Sequence, residues 1–441
     1  MAAGHIVVVG AGLAGLSAAV ELKREGHTVE VVERSRLLGG KATSFTLDDV
    51  EVDNGQHVFL ACCTEFIDFV GSVESPAVGP LLWMQERFEA TLLARGRSPA
   101  HLRAVGLPAP LHLAPALLRY RHLRLIDRVR VALALVSARE GKGHDAPKQN
   151  REESFAEWLD RHGQTESSRR AFWDPFFIPA LNASLEAVSA ESALFVIRTA
   201  FLKDAGAARF GFARVPLARI AETAATKVDA VHRRAAVVRL TFASSAVDGV
   251  LLDDGRRLPC DGVVLAVPPE RLQRILGDAA AFGISGLDAI RTAPIVDVHL
   301  WYDCGALGFG FAAVLDSPVQ WVFEKGPGYL CCSLSAAENH IGRPSGELVD
   351  MCHAEIATVL PGLEAAKLLR GAATRDRDAT FVPSPGLQRP GPHTTHPEVV
   401  IAGAWTDTGW PATMESAVRS GRRAARALMA PAPSREEVLA G

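Results

Sequence analysis

The chain has 441 residues, enough at ~150 per domain for two or three domains, each with a core of its own. With 48% hydrophobic and 22% charged residues, global disorder is excluded, and 47 basic against 50 acidic side chains, net −3, offer no field for nucleic acid. The seven cysteines are odd in number and contain no C-x-x-C, so they draw no disulfide framework and no zinc or haem signature, and reduced thiols in the cytoplasm are expected.

Ile6 to Val9 is a short β-branched run of the kind that forms a buried parallel strand, and it lacks the basic start and cleavage site of a secretory signal. Gly10-Ala11-Gly12-Leu13-Ala14-Gly15 follows, then a helix over Leu16 to Glu25 closed by Gly26, then a strand over Thr28 to Val32 with Glu33 at its end. From Leu81 to Glu140 the composition, rich in Leu, Ala, Pro and Arg, predicts helix. Gly141 to Asn150 reads as an exposed loop, and Glu153 to Leu202 as helix again. Strands are expected over Val231 to Leu240, Ala246 to Leu252 and Gly262 to Val267, and an antiparallel group over Val296 to Trp301, Trp321 to Phe323 and Tyr329 to Cys332. Val399 to Gly403 reads as a late buried strand, Ala412 to Met429 as a helix, and Pro431 onward as a loose tail. No segment approaches the ~20 apolar residues of a spanning helix.

The glycine spacing carries chemistry because of where it stands. Gly10 permits a tight turn after the strand, Gly12 lets backbone approach a pyrophosphate, Gly15 lets the helix pack close, and the helix N-terminus offers N–H groups and a positive dipole end to the phosphates. Glu33 lies 18 residues beyond Gly15, close to the ~20 at which a carboxylate accepts from ribose hydroxyls. An acid there repels a 2′-phosphate, so FAD or NAD is favoured over NADP, and a glycine turn of another α/β fold is the competing reading.

Leu38-Gly39-Gly40-Lys41 and Val52-Asp53-Asn54-Gly55-Gln56-His57 separate FAD from NAD, and the run from Gly403 to Val418 agrees with them. With these motifs the sequence resembles the flavin amine oxidase and phytoene desaturase superfamily. More finely, Asp53 to Leu60 with Cys62-Cys63-Thr64, Trp173-Asp174-Pro175 to Pro179-Ala180-Leu181-Asn182, and Thr406 to Met414 resemble the hydroxysqualene dehydroxylases, also described as squalene-associated FAD-dependent desaturases. The resemblance implies an α/β fold, with a Rossmann-like FAD domain of the glutathione-reductase type and an inserted mixed α+β substrate domain. It divides the chain into FAD-domain pieces at 1–75, 216–275 and 396–430, a largely helical substrate or membrane-facing part at 76–215, substrate-domain strands at 276–395, and a tail at 431–441. Implied cofactor contacts are Gly10, Gly12, Leu13, Ala14, Gly15, Glu33, Arg34, Gly40, Lys41, Asn54, Gly55, Gln56, Val237 (backbone, to adenine), Gly403, Trp405, Ala412, Thr413 and Met414. The closing helix is expected to meet the flavin with exposed N–H groups and no carboxylate at its start. One departure is Ala404, where the superfamily usually has Asp, a change expected to weaken FAD binding by ~1–2 kcal/mol unless Asp407 substitutes.

The implied reaction is FAD-dependent reductive removal of the hydroxyl of hydroxysqualene, giving squalene in hopanoid and isoprenoid metabolism, with an external electron donor for the flavin. A hydroxyl leaves poorly, so an acid must protonate it, and a developing allylic cation needs aromatic or apolar walls. His57 is the candidate acid, against the reading of a histidine that packs and satisfies a carbonyl. Asp53 and Glu415 read as structural acceptors, Phe172-Trp173 with Phe176-Phe177 as walls for a C30 isoprenoid alcohol or as helix core, and Cys62-Cys63 and Cys331-Cys332 as packing. Eight arginines against one acid between Arg95 and Arg130, interleaved with leucines, fit an anionic membrane surface as well as a solvated helix face, giving a cytoplasmic protein with peripheral contact at the inner face of the cell membrane. The rival functions are an oxidative carotenoid desaturase or amine oxidase on the same scaffold, and a non-enzymatic prenyl-lipid-binding protein.

Overall fold

The computed structural model describes residues 3–76, 79–139 and 152–430. The loop expected at Gly141 to Asn150 and the tail from Pro431 lie outside the described residues.

Five parallel strands form the nucleotide-side sheet in the order Ala230–Arg233, Thr28–Glu33, His5–Val9, Gly262–Leu265 and Val399–Ile401. Alternation along His5–Val9 decides what covers each face. Ile6 and Val8 pack with Leu16, Leu22, Val418 and Leu428 of the helices Leu13–Arg24 and Met414–Met429. Val7 and Val9 pack against a three-stranded sheet formed by Val237–Ala243, Ala246–Leu252 and Arg257–Pro259. Consecutive parallel strands require crossovers, and the large inserts between Glu33 and Gly262 and between Leu265 and Val399 supply the second half of the molecule.

That half is built on a seven-stranded sheet in the order Leu368–Phe381, Thr292–Tyr302, Tyr329–Leu334, Trp321–Gly326, Phe311–Val314, Glu89–Ala94 and Arg97–Arg103. The helix Ser345–Ala357 buries Leu348, Cys352 and Ile356 against Val296, Val298 and Leu300 on one face. The helices between Ala114 and Val196 form a further core around Trp173, Phe155 and Tyr120.

Several expected elements are corrected. Leu81 to Glu140 is not continuous helix: Leu82–Met84, Glu89–Ala94 and Arg97–Arg103 are strands, and helix appears only at Ala114–Arg119 and Leu125–Ser137. Gly96, at φ +67°, turns the hairpin, and Ala90, Leu92, Ala100 and Leu102 point into the core at strand spacing, which outweighs the helix preference of Leu and Ala. The part at 76–215 therefore contributes two strands to the same sheet as the strands at 276–395. The first helix begins at Leu13 rather than Leu16, and Val231 to Leu240 is two strands parted at Arg234, whose φ is +56°. Glu153 to Leu202 is interrupted by π-helical turns at Arg169–Trp173 and Ile197–Leu202. The helix Ser345–Ala357 and the strand Leu368–Phe381 have no counterpart in the sequence reading. No helix among the described residues is long and apolar enough to cross a membrane.

Candidate functional site

The His5–Val9 and Val399–Ile401 strands are parallel, so the helices Leu13–Arg24 and Met414–Met429 both start beyond the same, C-terminal edge of the sheet. This is where α/β folds bind nucleotides. The first helix opens with no capping side chain and no acid in its first turn, leaving a positive end uncompensated by the chain. Gly15 is required by packing, since a Cβ there would stand 1.9 Å from the Gly10 carbonyl oxygen. Gly12 is different: its φ is −75°, and a Cβ would meet nothing nearer than the Gly40 Cα at 3.9 Å. Neither backbone nor packing demands glycine at Gly12, and the open space beside it fits the backbone approach that a pyrophosphate makes. Leu13 and Ala14 are buried and Gly39 bridges to Gly12, which brings Gly40 to the rim of the cradle. Glu33 accepts from the Ala11 N–H and the Ser35 N–H, both at 2.8 Å, so its carboxylate is fixed at the edge of the glycine turn.

Other expected contacts are placed less simply. Arg34 is exposed, and Lys41 turns its ammonium to Asp376, at 3.3 Å, and to the Asp378 carbonyl oxygen, on the edge strand of the large sheet. Val237 is buried, and the preceding Arg234 and Ala235 N–H groups bond to the Ser35 and Glu33 carbonyl oxygens, which ties that strand to the carboxylate's own segment. Gly403 N–H donates to Ser420 Oγ at 2.9 Å, and Trp405 Nε1 to the Val267 carbonyl oxygen at 3.0 Å, so the indole N–H is spent on the fold. Ala412 precedes the N-cap Thr413, whose Oγ1 accepts from Ser416 N–H at 3.1 Å, and Met414 opens the helix. The expected carboxylate-free helix start is corrected: Glu415 sits in the first turn, fully buried. Its oxygens cap the Thr64–Val73 helix through the Phe66 N–H at 2.8 Å and the Glu65 N–H at 3.3 Å, and pair with Arg419 at 2.6 Å. Asp407 is exposed and paired with Arg389 at 3.6 Å.

Asp53 is a structural acceptor, taking Ser44 Oγ at 2.7 Å and the Leu217 N–H at 3.0 Å. Asn54 donates to the Lys41 carbonyl oxygen at 3.2 Å, which joins the Gly39–Lys41 turn to the Gly55–His57 turn. Gln56 Oε1 accepts from Lys325 at 3.0 Å. His57 Nδ1 lies 3.1 Å from the Gly55 carbonyl oxygen. A carbonyl can only accept, so Nδ1 carries a proton and Nε2 is the nitrogen free to exchange one. Sequence reading missed the groups that the large sheet brings to this turn: Asp297, His299, Lys325 and Tyr329. Asp297 and His299 are both buried; burial pushes the Asp297 carboxyl up, and burial with the nearby Lys325 charge holds His299 down to about 4. Polar residues two apart in the apolar run Val296-Asp297-Val298-His299-Leu300 are the signal that could have found them.

An apolar cavity of about 280 Å³ lies among the helices, walled by Phe88, Leu117, Phe172, Phe176, Phe201 and their neighbours. Trp173 and Phe177 also touch it from the core, where Trp173 Nε1 donates to Gln164 at 2.9 Å. Ring contacts of 5.1 to 6.2 Å run on from Phe88 through Phe210, Phe311, Phe212 and Phe323. Phe212 pairs in register with Val58, next to His57. Asn182 fastens this helical region to the large sheet, donating to the Ala293 carbonyl oxygen and Thr380 and accepting the Ala336 N–H at 2.7 Å. The arginines between Arg95 and Arg130 do not form one patch: Arg95, Arg97 and Arg103 lie on the hairpin and Arg119 to Arg130 around the helices. Beside the latter, Leu118, Leu125, Ile126, Val129, Leu133 and Val136 are exposed, and Leu111 and Val136 also line the cavity.

A match to the family described as flavin containing amine oxidoreductase spans residues 13–429. The chain belongs to that family. It is an FAD-dependent oxidoreductase, and the cradle around Gly12, Gly40 and Glu33 suits its cofactor. A hydroxysqualene dehydroxylase of Rhodopseudomonas palustris is 30% identical, the match covering 96% of this chain and 98% of that protein. A 15-cis-phytoene desaturase of Synechococcus elongatus is 23% identical over 97% and 96% of the two chains. Among solved structures, an oxidoreductase from Methanosarcina mazei shares the fold at a TM-score of 0.70, with 18% identity and 95% and 98% coverage.

Proposed function

We propose that the protein catalyses reductive dehydroxylation of hydroxysqualene to squalene, with electrons supplied to its flavin from outside. The observation that carries this reading is the apolar cavity and the aromatic rings that continue from it to the strand beside His57. A long isoprenoid alcohol presents almost nothing to hydrogen-bond, and these walls ask for nothing more. Bound at the cradle, reduced FAD supplies hydride. Gly10, Gly12 and Gly15 with the Leu13–Arg24 helix start would hold its pyrophosphate, Glu33 its ribose, and Val237 backbone its adenine. Gly403, Trp405, Ala412, Thr413 and Met414 would close on the ring end. His57 gives a proton from Nε2 to the leaving hydroxyl while Nδ1–H stays on the Gly55 carbonyl. Aromatic faces at Phe212 and Phe323 exclude water and stabilise positive charge developing on the allylic carbon.

The substrate enters from a bilayer, in this reading, through the exposed apolar face at Leu118 to Val136, whose neighbouring Arg119, Arg121 and Arg124 suit anionic lipid. Flotation with anionic liposomes at low salt should carry the protein up the gradient; absence of binding there would remove the membrane step. For the reaction itself, anaerobic incubation of reduced protein with hydroxysqualene should yield squalene. The likeness to a phytoene desaturase favours a second reading, oxidative desaturation, in which oxidised flavin would accept hydride from a polyene and hydroxysqualene would be returned unchanged.

A further inference from the structure

Asp297 is 2% exposed in the middle of the Thr292–Tyr302 strand, and its carboxyl lies directly against the turn that carries His57. One oxygen lies 3.4 Å from the Gln56 N–H, and the other is 2.9 Å from where a Cβ on Gly55 would stand. The Ser333 hydroxyl bonds to it and Cys331 Sγ is 3.9 Å away. No ion pair forms at it among the described residues. The ammonium whose field reaches it, Lys325, is engaged by Asp53 at 3.5 Å and Gln56 at 3.0 Å. An unpaired carboxylate in so dry a place costs far more than a carboxylic acid, and burial pushes its pKa up accordingly.

We propose that Asp297 is a positioning residue, a carboxyl group held neutral behind the Gly55–His57 turn, whose proton sets how His57 is presented to the substrate. This rests on the reading of His57 as the acid. Ionisation would place a negative charge under the turn and draw the His57 imidazole and the Gln56 N–H toward it, away from the Gly55 carbonyl. The groups facing the carboxyl are His57 on the turn, Lys325 with Asp53 behind it, and Tyr329 and Cys331 on the neighbouring strand. From the other side Thr374 touches only the Asp297 backbone carbonyl. Lys325 is already shared by Asp53 and Gln56, and the other cation, protonated His57, is the acid itself, so a charge on the carboxyl is compensated only by drawing on the group it positions, and the site loses competence as the pH rises through the carboxyl's own titration.

Asp297→Asn keeps the shape and the neutral charge. Infrared difference spectra of wild type against D297N at neutral pH, with and without FAD, should show the carbonyl stretch of a protonated carboxyl in wild type alone. If D297N does not fold, Asp297→Glu, which keeps a carboxyl at the same place, should move the same band without abolishing it. Wild-type turnover should fall on the alkaline side both with loss of the acid's proton and, separately, as that band disappears, whereas D297N should stay within about threefold of wild type at neutral pH, the scale of one neutral hydrogen bond, and lose the part of the alkaline limb that follows the band. Absence of the band, or an unchanged alkaline limb in D297N, overturns the proposal. The band is read without substrate, so a failed dehydroxylation assay with the band present would instead count against the proposed reaction.

Discussion

The Gly10–Gly15 turn offers a ligand backbone and a helix end, whereas the surroundings of His57 are side chains drawn from several strands of the other sheet. The first is made from a few consecutive residues and tolerates no added atom at Gly10 or Gly15, with the space at Gly12 left for a ligand. The second is assembled across the chain, Gln56 and Asp297 being 241 positions apart, and its properties depend on burial and charge rather than on fit. Backbone cradles should therefore fail by sterics and the His57 side by protonation.

The largest expected effect tests the cradle against itself. Gly15→Ala forces a Cβ onto the Gly10 carbonyl and should cost about 3 kcal/mol with loss of bound flavin. Gly12→Ala has room within the chain and should cost under about 1 kcal/mol of stability while still losing flavin. Thermal melts and flavin content, read together, separate the two, and equal melting losses would erase the distinction. On the other side, His57→Ala should lower dehydroxylation by about 10²–10⁴-fold with flavin still bound, which rapid-mixing kinetics and absorbance would read. Next comes pH. His299 is held neutral at a pKa of about 4 against an ordinary value of 6.5, so the unfolded chain binds its proton first as the pH falls. Stability should decline between those two values by about 3 kcal/mol, and His299→Gln should flatten that decline in denaturant titrations. The smallest effect belongs to Lys41→Ala: an exposed pair with Asp376 should be worth under about 1 kcal/mol, and flavin content should barely change.

Local rules made the cradle legible. A β-branched strand, three spaced glycines, a helix and an acid sit within thirty residues, and Glu33 stands where spacing placed it, on the Ala11 N–H. The hairpin Glu89–Arg103 was hidden because its leucines and alanines are good helix formers, and only the partner strand Phe311–Val314, more than two hundred residues on, makes extended chain the better choice. Asp297 and His299 were hidden for a related reason. Their strand was recognised, but a buried carboxyl acquires meaning from Gly55 and Gln56, which no local pattern connects to it. Glu415 was correctly read as structural, and its position in the closing helix still misled, because the sequence could not say that its charge is turned to the start of another helix.

The grip between the first and last helices bears on how the protein is made. Ser17 Oγ donates to the Val418 carbonyl 401 positions away, and Gly421 lies so close that a Cβ there would stand 2.0 Å from the Ala14 carbonyl oxygen. During synthesis the His5–Val9 strand and the Leu13–Arg24 helix must wait through those 401 positions before their partner arrives. Until then the apolar side of the first helix is exposed to the cell, and the cofactor has only part of its seat. The complete seat for FAD is thus expected only after the helix that carries Val418 and Gly421 has been made.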